Sequence, residues 1–197
     1  MQRRPLWITL GLLVVAVLYT TSTYNGFMQL EEDVKEAWGQ VLNVYQRRAD
    51  LIPNLVNTVK GYAAHEKETL TQVIEARAKA TQIAPEALQN AFSNPQAFAQ
   101  FEQAQAGLSS ALSKLMVVVE KYPDLKANQN FLALQDQLEG TENRITVERQ
   151  RFNEGVNTYN KTVRRVPGKF IASILGFTER PYFQATTGAE NAPKVEF

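Results

Sequence analysis

The chain is 197 residues long, carries a formal net charge of +1 and contains no cysteine. That length suits one membrane segment plus one domain of ordinary size, and the near-neutral charge, with no basic patch interleaved with aromatics, excludes a nucleic-acid partner. The absent thiol removes disulfides, cysteine metal sites, thiol nucleophiles and a lipid-modified cysteine together.

The N-terminus reads MQRRPLWITLGLLVVAVLYTTSTYNGF, uncharged from Pro5 through Leu30. Leu6 to about Tyr24 is just long enough for the roughly 20 residues that cross a bilayer. Trp7 and the Tyr19/Tyr24 pair stand near its ends, as interface aromatics do. A cleaved signal peptide is the competing reading, but YTTSTYN offers no small-x-small cleavage site. Arg3 and Arg4 precede the segment and Glu31, Glu32, Asp33 and Glu36 follow it. The positive-inside bias therefore places the N-terminus in the cytoplasm and the domain outside, in the periplasm of a two-membrane bacterium. Residues 1–24 are expected to be cytoplasmic start and anchor, 25–176 a helical bundle, and 177–197 a polar tail.

From about Gly26, Leu30, Val34, Trp38, Val41 and Tyr45 draw one apolar stripe at steps of three and four. The stripe resumes after Pro53 with Leu55, Val56, Val59, Tyr62 and Ala63 and continues to about Ile83. Unbroken, it predicts a rod of roughly 80 Å. Two readings of Pro53 are open. Either Asp50 caps a new helix with Pro53 in its first turn, or one helix continues and the proline ring crowds the carbonyl of Ala49. Pro85 opens a short helix, and Asn94-Pro95 predicts a capped start for the next, to about Lys121. Tyr122-Pro123-Asp124 is a break, with Asp124 a candidate cap. The last long helix runs from Leu125 or Asn128 to about Arg165 and stops at Pro167-Gly168. An amphipathic piece, Lys169 to Leu175, ends at Gly176, and a loosely held tail follows. No segment alternates as a strand, so the fold class is all-α, an antiparallel bundle of long helices behind a transmembrane helix. Tyr24-Asn25 and Tyr159-Asn160 are expected at one, membrane-near end.

Candidate chemistry is sparse. His65 is the only histidine, and neither HExxH nor a second ligand accompanies it. Ser109, Ser110 and Ser113 have no base in their own segment, so a hydrolase is a minor alternative. The charged band Glu75, Arg77, Glu139, Glu142, Arg144, Glu148, Arg149 and Arg151 reads as interhelical salt bridging, with Glu148 four residues after Arg144. Arg48, Asn54, Asn57, Asn143 and Asn153 are polar residues in or beside apolar stripes; buried, each needs a hydrogen-bond partner. No cofactor or metal is expected.

Arg47-Arg48-x-Asp50-Leu51-Ile52-Pro53-Asn54-Leu55-Val56, followed by Val59-Lys60-Gly61-Tyr62 and His65-Glu66, closely resembles the signature of the LemA family. The resemblance continues in Glu75-Ala76-Arg77, in Glu139 to Ile145, in Arg151-Phe152-Asn153 with Val156-x-x-Tyr159-Asn160, and in Phe170 to Phe177. Val166 stands before Pro167 where an aromatic is usual. The resemblance implies an N-terminally anchored bacterial membrane protein with an antiparallel bundle. It further implies an accessory or scaffold role rather than catalysis, some members resembling proteins of magnetosome membrane formation and others being associated with a membrane zinc protease. Arg48, Asp50, Pro53, Asn54, Asn143 and Arg144 are the candidate structural or partner-binding residues, with at least one charged member expected to point inward. The expected partners are the lipid bilayer, a membrane or periplasmic protein and a second copy of the chain. A bundle that senses a peptide or small molecule is the main alternative.

Overall fold

The computed structural model describes residues 3–83 and 85–184. Seven helices follow one another among them: α1 Arg3–Tyr62, α2 Lys67–Thr81, α3 Pro85–Gln89, α4 Pro95–Val119, α5 Pro123–Lys126, α6 Gln129–Arg164 and α7 Gly168–Leu175, with a single 3₁₀ turn at Ala91–Ser93. No strand occurs among the described residues.

Helix α1 is the spine. Its 60 residues make a rod of about 90 Å. It does not restart at Gly26, because one glycine costs a helix only about 1 kcal/mol and Phe27 beside it is fully buried. Pro53 lies inside this helix, so the continuous reading holds and Asp50 caps nothing. The chain reverses instead at Ala63–Glu66, ten residues later, correcting the uninterrupted stripe to Ile83. Periodicity could not reveal that turn, since apolar residues resume at helical spacing on both sides of it. Contacts from distant elements hold it: the Tyr122 hydroxyl donates to Glu66 at 3.1 Å and the Asn128 amide donates to the Tyr62 hydroxyl at 2.9 Å.

Helix α6 runs antiparallel to α1 along most of the bundle. Val34 meets Gly155, Arg48 meets Glu142 and Tyr62 meets Asn128. Helix α2 folds back along α1, and α4 runs parallel to α1, placing Phe98 beside Trp38 and Gln105 beside Arg48. Asn94 caps α4 as its sequence predicts, accepting from the amides of Gln96 and Ala97, with Pro95 in the first turn. Asn128, not Asp124, caps α6, its side chain accepting from Phe131 N at 3.0 Å; Asp124 lies inside the single turn of α5.

The core has two parts. Nearer the N-terminal half of α1, Trp38, Phe98, Phe101, Phe152 and Phe183 form an aromatic cluster, and the Trp38 indole donates to Leu88 O at 2.8 Å. Farther along, Ile52, Leu55, Val59, Val73, Leu108, Leu115 and Phe131 form an aliphatic one. Helix α2 covers only the second part. The first is closed by the Ala91–Ser93 turn, α7 and the segment that follows it.

The segment after Gly176 is not loose. Gly176 takes the left-handed conformation that ends α7 (φ 81°), the residue type for which that backbone is least costly. The chain then returns along α6, with Phe183 buried. Residues 177–184 thus belong to the bundle, and the expected boundary after 176 falls in the wrong place. Residues 185–197 of the expected tail lie outside those described.

Candidate functional site

From Val34 to Val59 the inward residues of α1 step alternately by four and three: Val34, Trp38, Val41, Tyr45, Arg48, Ile52, Leu55, Val59. Seven are apolar or aromatic. Arg48 is the exception, and its side chain is only 2% exposed. Its guanidinium sits between the two hydrophobic clusters. One terminal nitrogen donates to Ser109 Oγ at 2.9 Å and to Glu142 Oε2 at 3.0 Å, the other to Gln105 Oε1 at 2.7 Å and Gln105 O at 3.3 Å. The guanidinium carbon lies 5.0 Å from the centre of the Tyr45 ring. A charge this far from water needs donors matched to acceptors, and two further helices supply the acceptors. Arg48 therefore locks α1, α4 and α6 in register, as a lone polar residue in a helical seam does.

A second polar contact closes the same layer. Pro53 has no N–H, so the carbonyl four residues back, at buried Ala49, loses its intrahelical donor. Arg77 Nε of α2 donates to that oxygen at 2.7 Å. The proline in α1 is thereby answered by an arginine on the next helix.

On α6, Asn153 and Asn160 lie seven residues apart and share one face. The Asn153 amide donates to Phe183 O and accepts from Phe183 N, both at 2.9 Å. Asn160 treats Arg180 likewise, at 2.9 and 2.8 Å. Seven helical residues rise about 10.5 Å, which three extended residues also span. The returning segment is therefore stretched along α6 and held by its main chain. Phe183 enters the aromatic core against Phe98, Phe152 and Trp38, and Arg149 covers its ring at 4.5 Å. Arg180 pairs with Glu31 and lies over Tyr159. A cleft of about 500 Å³ remains beside Arg48, lined by Tyr45, Glu102, Glu142, Arg149 and Gln184 among others. Burial raises the Glu102 carboxyl above its usual range, opposed by Arg149 and by a backbone hydrogen bond from Gln184.

The pattern of the LemA family matches residues 37–197, most of the chain. The chain belongs to the LemA family. Among its relatives, magnetosome protein MamQ of Magnetospirillum gryphiswaldense is 26% identical over 93% of this chain and 74% of its own length. Magnetosome protein MamQ 2 of Paramagnetospirillum magneticum is 26% identical over 92% and 74%. Protein LemA of Metamycoplasma hominis is 20% identical over 82% and 69%.

The LemA-like signature is split by its helix. Arg48 points inward, as expected of one charged member, but Asp50, Pro53 and Asn54 are exposed. Asp50 only accepts from Gln46 on its own helix, at 2.8 Å. Asn143 and Arg144 also face out, and the partner of Arg48 on α6 is their neighbour Glu142. Glu148 pairs with Arg151 at 2.9 Å rather than with Arg144. Asn57 is exposed, whereas Asn153 is half-buried. Gln105 is the site residue that single-residue reading missed, while Ser109, Arg77 and Asn160 are picked out by it without these contacts. The heptad position of Arg48 and the seven-residue spacing of Asn153 and Asn160 were the available signals. His65 is exposed in the Ala63–Glu66 turn, and Ser109 is engaged by Arg48. Among the described residues no group of three metal-ligating side chains is assembled.

Proposed function

We propose that this LemA family member is a membrane-anchored accessory protein that acts as a scaffold, through contacts with another membrane or periplasmic protein. The observation that carries the reading is the outward half of the signature: Asp50, Pro53 and Asn54 on α1 and Asn143 and Arg144 on α6 are exposed on a bundle whose core is already filled. The family and its relatives named as magnetosome proteins are consistent with work at a membrane. The first part of α1 is long and apolar enough to cross one. In this reading the N-terminus is cytoplasmic and the bundle lies outside.

The test is photocrosslinking from Asn54, Asn143 and Tyr182, all exposed, in intact membranes, followed by mass spectrometry. Recovery of one stoichiometric protein partner is expected; recovery of none overturns the scaffold. Protease digestion of the bundle in spheroplasts is expected, and protection there reverses the orientation. The scaffold needs no catalytic group, so His65→Ala is expected to retain cellular function. The cleft at Arg48, where Nε has no hydrogen-bond partner among the described residues, favours a second reading, a sensor for a small molecule or peptide.

A further inference from the structure

Helix α7 presents its sequence the wrong way round for a soluble helix. It buries only Gly168 and Ala172 fully, with Ile171 half-buried against the core. Phe170 and Ile174, one helical turn apart, are 64 and 83% exposed, and Val166 just before the helix is 71% exposed. A surface helix ordinarily turns such a stripe to the core, and contiguous exposed apolar side chains mark a surface that meets something apolar.

The position of α7 identifies the occupant. Gly168, its first residue, abuts Phe27 and Thr23 of α1. Phe177, just past its other end, packs on Tyr24 and Phe27 of the same stretch. An eight-residue helix is about 12 Å long, yet both ends reach the same turn or so of α1. It therefore lies across α1, not along it. That level is where the apolar run ends: from Pro5 to Tyr24 the helix rises about 28 Å, close to the ~30 Å of a hydrocarbon core. A membrane spanned by the start of α1 brings its outer surface to α7, lying in the interfacial plane.

The charges agree. Lys161, Arg165 and Lys169 are exposed around α7. The nearby acids Glu179 and Glu31 are engaged by Arg164 and Arg180. A short helix with an apolar stripe and a basic rim suits the headgroup boundary of an anionic bilayer. We propose that α7 is a second membrane contact, an interfacial foot that inserts Phe170 and Ile174 among lipid headgroups and fixes the bundle's angle to the membrane. The proposal rests on the anchor in the reading above, and the labels below separate the two.

The chain has no cysteine, so single fluorophores placed by Leu13→Cys, Phe170→Cys, Ile174→Cys and Asp136→Cys report on separate sites. Full-length protein is reconstituted in phosphatidylcholine–phosphatidylglycerol vesicles and challenged with lipid-borne and aqueous quenchers. The expected result is deep lipid quenching at 13, shallow lipid quenching at 170 and 174 with severalfold protection from the aqueous quencher, and aqueous quenching alone at 136. Arg165→Glu with Lys169→Glu is expected to weaken quenching at 174 and leave 13 unchanged. Lipid quenching at 13 with aqueous quenching at 170 and 174 overturns the foot and keeps the anchor; loss of lipid quenching at 13 overturns both. Protection at 174 from both quenchers, with disulfide crosslinks between two copies of the unlabelled Ile174→Cys variant, overturns it in favour of a dimer face.

Discussion

Arg48 and Tyr159 are the residues whose surroundings give the sharpest expectations. Arg48→Ala removes hydrogen bonds from a charged donor and leaves the Gln105 amide buried without it, so a loss of about 3 kcal/mol is expected. Arg48→Lys rescues little, because an ammonium cannot reach Gln105 and the Ser109–Glu142 pair in one fork. Glu142→Ala, from a carboxylate whose side chain is 56% exposed, is expected to cost nearer 1 kcal/mol. Urea unfolding of the three variants checks the order. The Tyr159 hydroxyl is buried with no hydrogen-bond partner among the described residues. Tyr159→Phe is therefore expected to raise stability by about 1 kcal/mol, since deleting an unpaired polar atom removes its desolvation penalty. Both Tyr159 and Tyr45 have phenols raised above the usual 10.0, chiefly by burial. An unfolded tyrosine releases its proton near 10.0 while these hold theirs, so the folded state binds more protons and stability falls as pH rises through 10. Tyr45→Phe is expected to flatten that alkaline loss in a pH series of thermal melts.

At the scale of the helix, Pro53 and Arg77 form a testable pair. Arg77→Ala leaves the Ala49 carbonyl without either donor, at an expected cost of about 1–3 kcal/mol. Pro53→Ala restores the local N–H and should offset most of that cost in the double variant, a coupling that a double-mutant cycle measures. Additive effects would show that Arg77 acts elsewhere. The same helix explains why the expected site only partly assembled. Adjacent residues of an α-helix differ by about 100°, so a contiguous signature must divide between inside and outside. Arg48, Ile52 and Leu55 reach the core while Asp50, Pro53 and Asn54 reach solvent. Asn143 and Arg144 miss for that reason too, one and two positions beyond Glu142.

Across the whole molecule, the segment after Gly176 completes the aromatic half of the core. Phe183→Ala is expected to destabilise by about 3–5 kcal/mol, the range for an emptied aromatic site. Asn153→Ala with Asn160→Ala unpairs two main-chain donors and two acceptors and should release the segment, read as faster limited proteolysis between 177 and 184. If cleavage there is unchanged, main-chain pairing does not hold it. The end of the bundle next to the apolar run gathers Tyr24, Phe177 and α7, and Tyr159 and Asn160 stand close by through Arg180 and Glu31, the common end that the repeated Tyr-Asn dipeptides suggested.

By itself the sequence determined the helices, the anchor-length apolar run, the Asn94-Pro95 cap and the Gly176 stop, because these follow from hydrophobic spacing and local backbone preference. The LemA signature determined the bundle. Only the tertiary structure decided that the chain turns at Ala63 rather than at Pro53. A helix can keep a proline when another element satisfies the orphaned carbonyl, and Arg77 lies 28 residues away from Ala49. Only it showed that residues 177–184 pack along the bundle and place Phe183 in its core. Their polar composition reads as tail until Asn153 and Asn160, placed on one face by the turn of α6, take over the hydrogen bonds that water would otherwise make.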